Sequence, residues 1–251
     1  MKINLDEALN DLEAARQVDQ DELVANALFT VAVAYLDRGR FDEANEALDE
    51  AHYLCGKLEN QAGQAQVALR MADIALNLKD HALAQTRAAE ALGLFESAGD
   101  VAGQVNSRER LAAALTVAGR DAEALPHLET AVALVAEAGD KVGEVLLRQR
   151  LAPLYRALGR LPEAVEAYEA LGRAAEAVGE RQRVALALVG LGTCAAEMGR
   201  LKAALGALDK ARAVFTGLGQ GTRAAQVMEE MARLAAQIPE AAAAQDSPAS
   251  D

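Results

Sequence analysis

The sequence contains no tryptophan, and aromatic residues make up only 3% of it although 52% is hydrophobic. Its apolar content is therefore mostly alanine, leucine and valine, which suits closely packed helices rather than a core filled by large rings. Basic residues are also few, 25 against 38 acidic ones, for a formal charge of −13. Nucleic-acid affinity rests on clustered Lys and Arg, so nucleic acid is excluded as a partner, and the same sign disfavours anionic membrane surfaces. No apolar run approaches the roughly 20 residues that span a bilayer. The two cysteines, Cys55 and Cys194, lack metal-ligand spacing and make no disulfide framework, so they read as packed thiols. The opening Met1-Lys2-Ile3-Asn4-Leu5-Asp6-Glu7 lacks a basic flank followed by an apolar stretch, and the expected location is the cytoplasm. The abundance of Ala, Leu, Arg and Gly fits a bacterial source.

What is present is a period of forty. Phe41-Asp42-Glu43-Ala44, Asp121-Ala122-Glu123-Ala124, Leu161-Pro162-Glu163-Ala164 and Leu201-Lys202-Ala203-Ala204 share one phase without a gap. Gly39, Gly119, Gly159 and Gly199 stand just before it, where a helix stops and the chain turns. A second break follows twenty residues later, at Gly99, Gly139, Gly179 and Gly219. Apolar spacing between breaks is helical, as in Leu111, Ala112 and Leu115, then Ala124, Leu128 and Ala131. Each unit is a helix pair.

On these residues the chain resembles the tetratricopeptide repeat family. In the first full repeat Ala32, Tyr35, Gly39, Phe41, Ala44, Leu48 and Ala51 fill the family's places; in the fifth, Gly192, Gly199, Leu201, Ala204, Leu208 and Ala211 do. The connectors Gly99-Asp100-Val101-Ala102-Gly103-Gln104 and Gly139-Asp140-Lys141-Val142-Gly143-Glu144 look like the longer repeats of kinesin light chain, the Leu-Gly-Asn repeat adaptor and bacterial regulators of the maltose-activator and Rap types. The resemblance covers about residues 5 to 238 and implies an all-α fold, a right-handed superhelical solenoid of antiparallel helix pairs with about twelve helices. Residues 1–20 form a capping half-repeat with its helix at 5–18. Five repeats follow at 21–60, 61–100, 101–140, 141–180 and 181–220, then a capping helix at 221–238 and a disordered tail at 239–251. The second repeat fits worst, with Lys79 in the Gly place and His81 in the aromatic place. Pro126 and Pro153 fall inside helices, where kinks are expected.

In the family the first helices line a concave groove. Carried onto this sequence, the groove comprises Asn26, Phe29, Val33 and Leu36; Gln66, Leu69, Arg70, Asp73 and Asn77; Asn106, Glu109, Arg110, Ala113 and Val117; Leu146, Gln149, Arg150, Pro153 and Arg156; and Val189, Gly190 and Thr193. Arg70, Arg110 and Arg150 share one phase and stack at about 10 Å intervals, the usual helix spacing. Such a stripe either takes carboxylates of an acidic peptide or pairs internally with Asp73 and Glu109. Asn26, Gln66 and Asn106, also in one phase, are amides suited to holding a peptide backbone, or else solvated surface. Phe29, Leu36, Leu69 and Leu76 give the N-terminal half an apolar lining.

Nothing assembles a catalytic constellation. His52, His81 and His127 lie on second helices of different repeats without a partnered nucleophile, and no cofactor or metal site is expected. The expected function is a non-catalytic adaptor or scaffold binding an extended, partly acidic peptide of a partner protein. The alternatives are a sensory module for a small molecule or signalling peptide, and a scaffold that self-assembles by its ends.

Overall fold

The computed structural model describes residues 3–245. They form twelve helices: α1 (Leu5–Val18), α2 (Asp21–Leu36), α3 (Phe41–Lys57), α4 (Gln61–Asn77), α5 (His81–Ala98), α6 (Val101–Val117), α7 (Asp121–Glu137), α8 (Lys141–Ala157), α9 (Leu161–Ala177), α10 (Arg181–Glu197), α11 (Leu201–Gly217) and α12 (Gly221–Gln245). Among the described residues there is no strand. No helix is long and apolar enough to cross a membrane.

The helix breaks have one chemistry. At residues 19, 39, 59 and onward to 219 the backbone turns left-handed every twenty residues; eight of these positions are Gly and three are Asp19, Glu59 and Lys79. At Gly39 the amide bonds to the Leu36 carbonyl, and that of Arg40 reaches back to Tyr35. This pair of bonds satisfies carbonyls that a helix end leaves open. The long-reach bond recurs from Asn60 to Cys55, Asp80 to Ala75, Asp100 to Phe95, and so on to Gln220 and Phe215. Lys79, with φ 63°, makes the same turn as Gly39, with φ 70°. The second repeat therefore departs from the pattern in residue type and keeps it in backbone. Side chains of Asn60, Asp80, Asp100 and Asp140 then cap the next helix by accepting the amide three residues on.

The chain forms two compact units, Met1–Leu134 and Val135–Asp251. In the first, α1 to α6 pack each on the next, and α4 also meets α6. A continuous core runs from Ala8 and Leu12 through Leu28, Leu48 and Leu54 to Met71 and Ile74. Alanines at 0% exposure, among them Ala32, Ala44, Ala51, Ala68 and Ala84, let the helix backbones approach closely. In the second unit α8 to α12 again pack in chain order and α8 meets α10. Its cores centre on Tyr168, Leu171 and Cys194, and on Leu208, Phe215 and Val227.

Both internal prolines lie inside continuous helices: α7 passes through Pro126 and α8 through Pro153, each as one helix of 17 residues. Both prolines are exposed, so water can reach the carbonyls they leave open. The last helix does not stop at 238 but runs as Gly221–Gln245, in keeping with the helix propensity of Ala241 to Ala244. The rest of the expected tail, 246–251, lies outside the described residues.

Candidate functional site

In the first unit the predicted groove residues sit on α2, α4 and α6. Asn26, Gln66 and Asn106 are exposed, and among the described residues their side-chain amides bond to no protein group. The arginines of this unit behave differently. Asp73 on α4 accepts from Arg110 Nε on α6, and from Arg70 Nη1 at 3.3 Å. Arg110 Nη1 also donates to Glu109 at 2.9 Å. Burial works against the charge of Arg110, yet Asp73 and Glu109 outweigh it and raise its pKa. Arg70, Asp73, Arg110 and Glu109 are thus linked through their side chains, and Arg70 remains 45% exposed. Asn77 turns its amide back to the Asp73 carbonyl at 2.8 Å. Phe29 and Leu36 are half-buried against the core, and Leu69 and Leu76 likewise pack on buried clusters. Much of their apolar surface is already covered.

In the second unit Gln149, Pro153 and Arg156 on α8 face Val189, Gly190 and Thr193 on α10 around a hollow of about 260 Å³. All six belong to the predicted groove. Its floor is Tyr168 and Leu171 of α9, with Leu186 beside them. Sequence reasoning left out Tyr168 and Leu171 because α9 is a second helix, which the family pattern assigns to the outside, and it passed over Leu186 on α10. A clue was available in Gly190: a Cβ there would come within 2.2 Å of the Tyr168 ring, so the glycine is what admits the ring between α8 and α10. Arg156 donates to Glu197 at 2.8 Å, and that bond raises its pKa. Burial raises the pKa of Tyr168, with Arg156 pulling the other way. Gln149 Oε1 accepts from Arg183 Nε at 2.9 Å. Arg150 is exposed on α8.

The remaining titratable groups have structural surroundings. His52 meets Glu90 at 2.9 Å, and the His127 pKa is lowered by burial and by Arg108. Burial raises the pKa of both cysteines, which disfavours the reactive thiolate. Among the described residues no group of three or more His, Cys, Asp or Glu is placed to hold a metal ion.

No protein-family model matches the chain, and no curated protein matches it either. Solved structures do. BtubC (BKLC) from P. vanneervenii superposes with a TM-score of 0.72 at 14% identity, over 86% of this chain and 91% of that one. The apo form of RapI gives 0.71 at 15%, over 81% and 74%. YrrB, described as a TPR protein with an unusual peptide-binding site, gives 0.63 at 18%, over 81% and 91%. With the paired helices, the forty-residue period and the left-handed turn at every twentieth residue, these likenesses show that the chain has the tetratricopeptide-repeat fold.

Proposed function

We propose that the chain is a non-catalytic adaptor that holds an extended, partly acidic segment of a partner protein across the first helices of its repeats. The observation that carries this reading is the row Asn26, Gln66 and Asn106. Three bifunctional amides recur forty residues apart, exposed and, among the described residues, unpaired with the protein. An amide both donates and accepts, which is what an extended backbone presents to a partner. The arginines add a preference rather than the main affinity. A ligand carboxylate competes with Asp73 for Arg70, whose guanidinium is open to solvent. YrrB has a peptide-binding site by its description, and a Rap protein of this fold is described in complex with a competence and sporulation factor.

The test begins with the purified chain as bait in its own cell extract. The captured partner is then tiled as synthetic peptides, and each tile is titrated against the natural chain and an Asn26→Ala, Gln66→Ala, Asn106→Ala form of unchanged helicity. A tile bound by the first and lost by the second supports the reading, with affinity falling as salt rises. Tiles bound equally by both forms sink it.

The Rap likeness favours a second reading, a sensory module in which a signalling peptide or small molecule shifts the array between arrangements. A ligand-dependent change in hydrodynamic radius distinguishes it from the adaptor.

A further inference from the structure

The first helices of the repeats pack against the helix that follows them, α2 on α3, α4 on α5, α8 on α9 and α10 on α11. On α4 the face made of Ala65, Ala68, Ala72 and Ala75 is at most 1% exposed, in cores shared with Ala84, Ala91 and Phe95 of α5. On α10 a Cβ at Gly192 would come within 2.8 Å of Leu208 on α11. The same four phases on α12 are Ala225, Met228, Ala232 and Ala235, and all are exposed, Met228 at 55%. The adjoining face of α12, with Ala224, Val227 and Leu234, is the one that enters a core with α11. No helix follows α12 among the described residues.

The uncovered face is complementary to itself. Its residues stand symmetrically about Glu230, with Met228 and Ala232 two places on either side and Ala225 and Ala235 five places. When two copies of the helix lie antiparallel about that point, Met228 of each faces Ala232 of the other, so a large side chain meets a small one. Charge obeys the same symmetry. Glu229 has no cation partner among the described residues, and Arg233 meets Glu230 at 3.4 Å with its own side chain 71% exposed. In the antiparallel pair Glu229 comes within about 3 Å, measured along the axis, of Arg233 of the other copy on the same flank. From Gly221 to Gln237 the charges are Arg223, Arg233, Glu229 and Glu230, which balance, in a chain of formal charge −13. Two copies therefore meet here without net repulsion. The face of α1 does not fit as an alternative: where α3 has the buried Ala47 and Ala51, α1 carries Glu7 and Asp11 forty residues earlier, both exposed. Burying those carboxylates against alanine would leave them unpaired.

We propose that the chain forms a two-fold dimer through this face of α12, with Ala225, Met228, Ala232 and Ala235 of two copies packed antiparallel and Glu229 of each paired with Arg233 of the other. The dimer goes beyond the adaptor reading, which it makes bivalent, and uses none of its residues.

Sedimentation equilibrium of the full chain over about 1–500 µM, where a small interface associates, should show the mass rising from one chain towards two and no further. Met228→Lys, at a site already exposed, should weaken association about tenfold with helicity unchanged. Charge exchange then distinguishes this geometry from any other contact. Glu229→Arg and Arg233→Glu each set like charges against each other at both symmetric pairs, and each should weaken association about tenfold. An equimolar mixture of the two variants should recover a 1:1 dimer of near-natural affinity, because every pair is again of opposite sign. A chain that stays monomeric, a dimer indifferent to Met228→Lys, or a mixture that associates no better than either variant alone overturns the proposal. Growth beyond two chains does the same, since it needs a contact between unlike surfaces. In each of those cases, partner tiles lost by the Asn26, Gln66, Asn106 variant leave the adaptor reading standing.

Discussion

Asp73 and Arg110 are 37 residues apart in sequence, yet their side chains meet across α4 and α6. The same carboxylate also holds Arg70, so it occupies the position that an acidic ligand would take. Asp73→Asn should therefore strengthen binding of an acidic partner tile by up to about fivefold, the equivalent of an exposed pair worth up to ~1 kcal/mol. Anisotropy titration of the tile checks it, and an unchanged affinity would mean that the arginines serve the fold alone.

Lys79 makes a left-handed turn that the chain elsewhere gives mostly to glycine. A non-glycine residue in that region costs about 1 kcal/mol. Lys79→Gly is expected to stabilise the protein by about that amount in urea unfolding, and Gly119→Ala to destabilise it similarly. A smaller gain from Lys79→Gly would indicate that the added freedom of the unfolded chain offsets the relief.

Gly190→Ala drives a methyl group into the Tyr168 ring. Overpacking of this kind costs about 1–3 kcal/mol, read as a lower melting temperature. Tyr168→Leu in the same chain should recover part of the loss, and strict additivity of the two changes would show that the glycine acts elsewhere.

Glu144 is buried and bonded to Lys141 and Arg148. Burial raises its pKa, but the two cations outweigh burial and hold it below its ordinary value of 4.5. A carboxylate with a depressed folded value contributes stability that is complete above the unfolded value and is lost as pH falls through the folded one. Urea midpoints for the natural chain and Glu144→Gln should thus differ at neutral pH and converge as the pH falls through the depressed folded value.

The fold was legible because its two signals are local and repeated. Glycine at a left-handed turn and alanine between close helices are demanded by geometry at one position each, and the chain states both many times over. The partly covered state of Phe29 and Leu36 was less legible, since a side chain at a groove position can still lean into the core. The pairing of Arg110 was readable only as one of two outcomes, because sequence spacing places Asp73 near it without fixing which way the guanidinium turns. The hollow between α8 and α10 was not foreseen as a cavity. Its floor comes from α9, and empty space depends on the shapes of several side chains at once.

The left-handed residue at every twentieth position also bears on how such a chain can change length. Excision or duplication of forty consecutive residues joins two ends that already stand at the same point in the helix–turn count, so the new junction inherits a correctly phased neighbour. Loss of a single residue has no such remedy, because it rotates the rest of that helix by about 100° and turns its alanine face away from the adjoining backbone. Genetic change in this gene should therefore be tolerated in whole steps and purged in fractions of one.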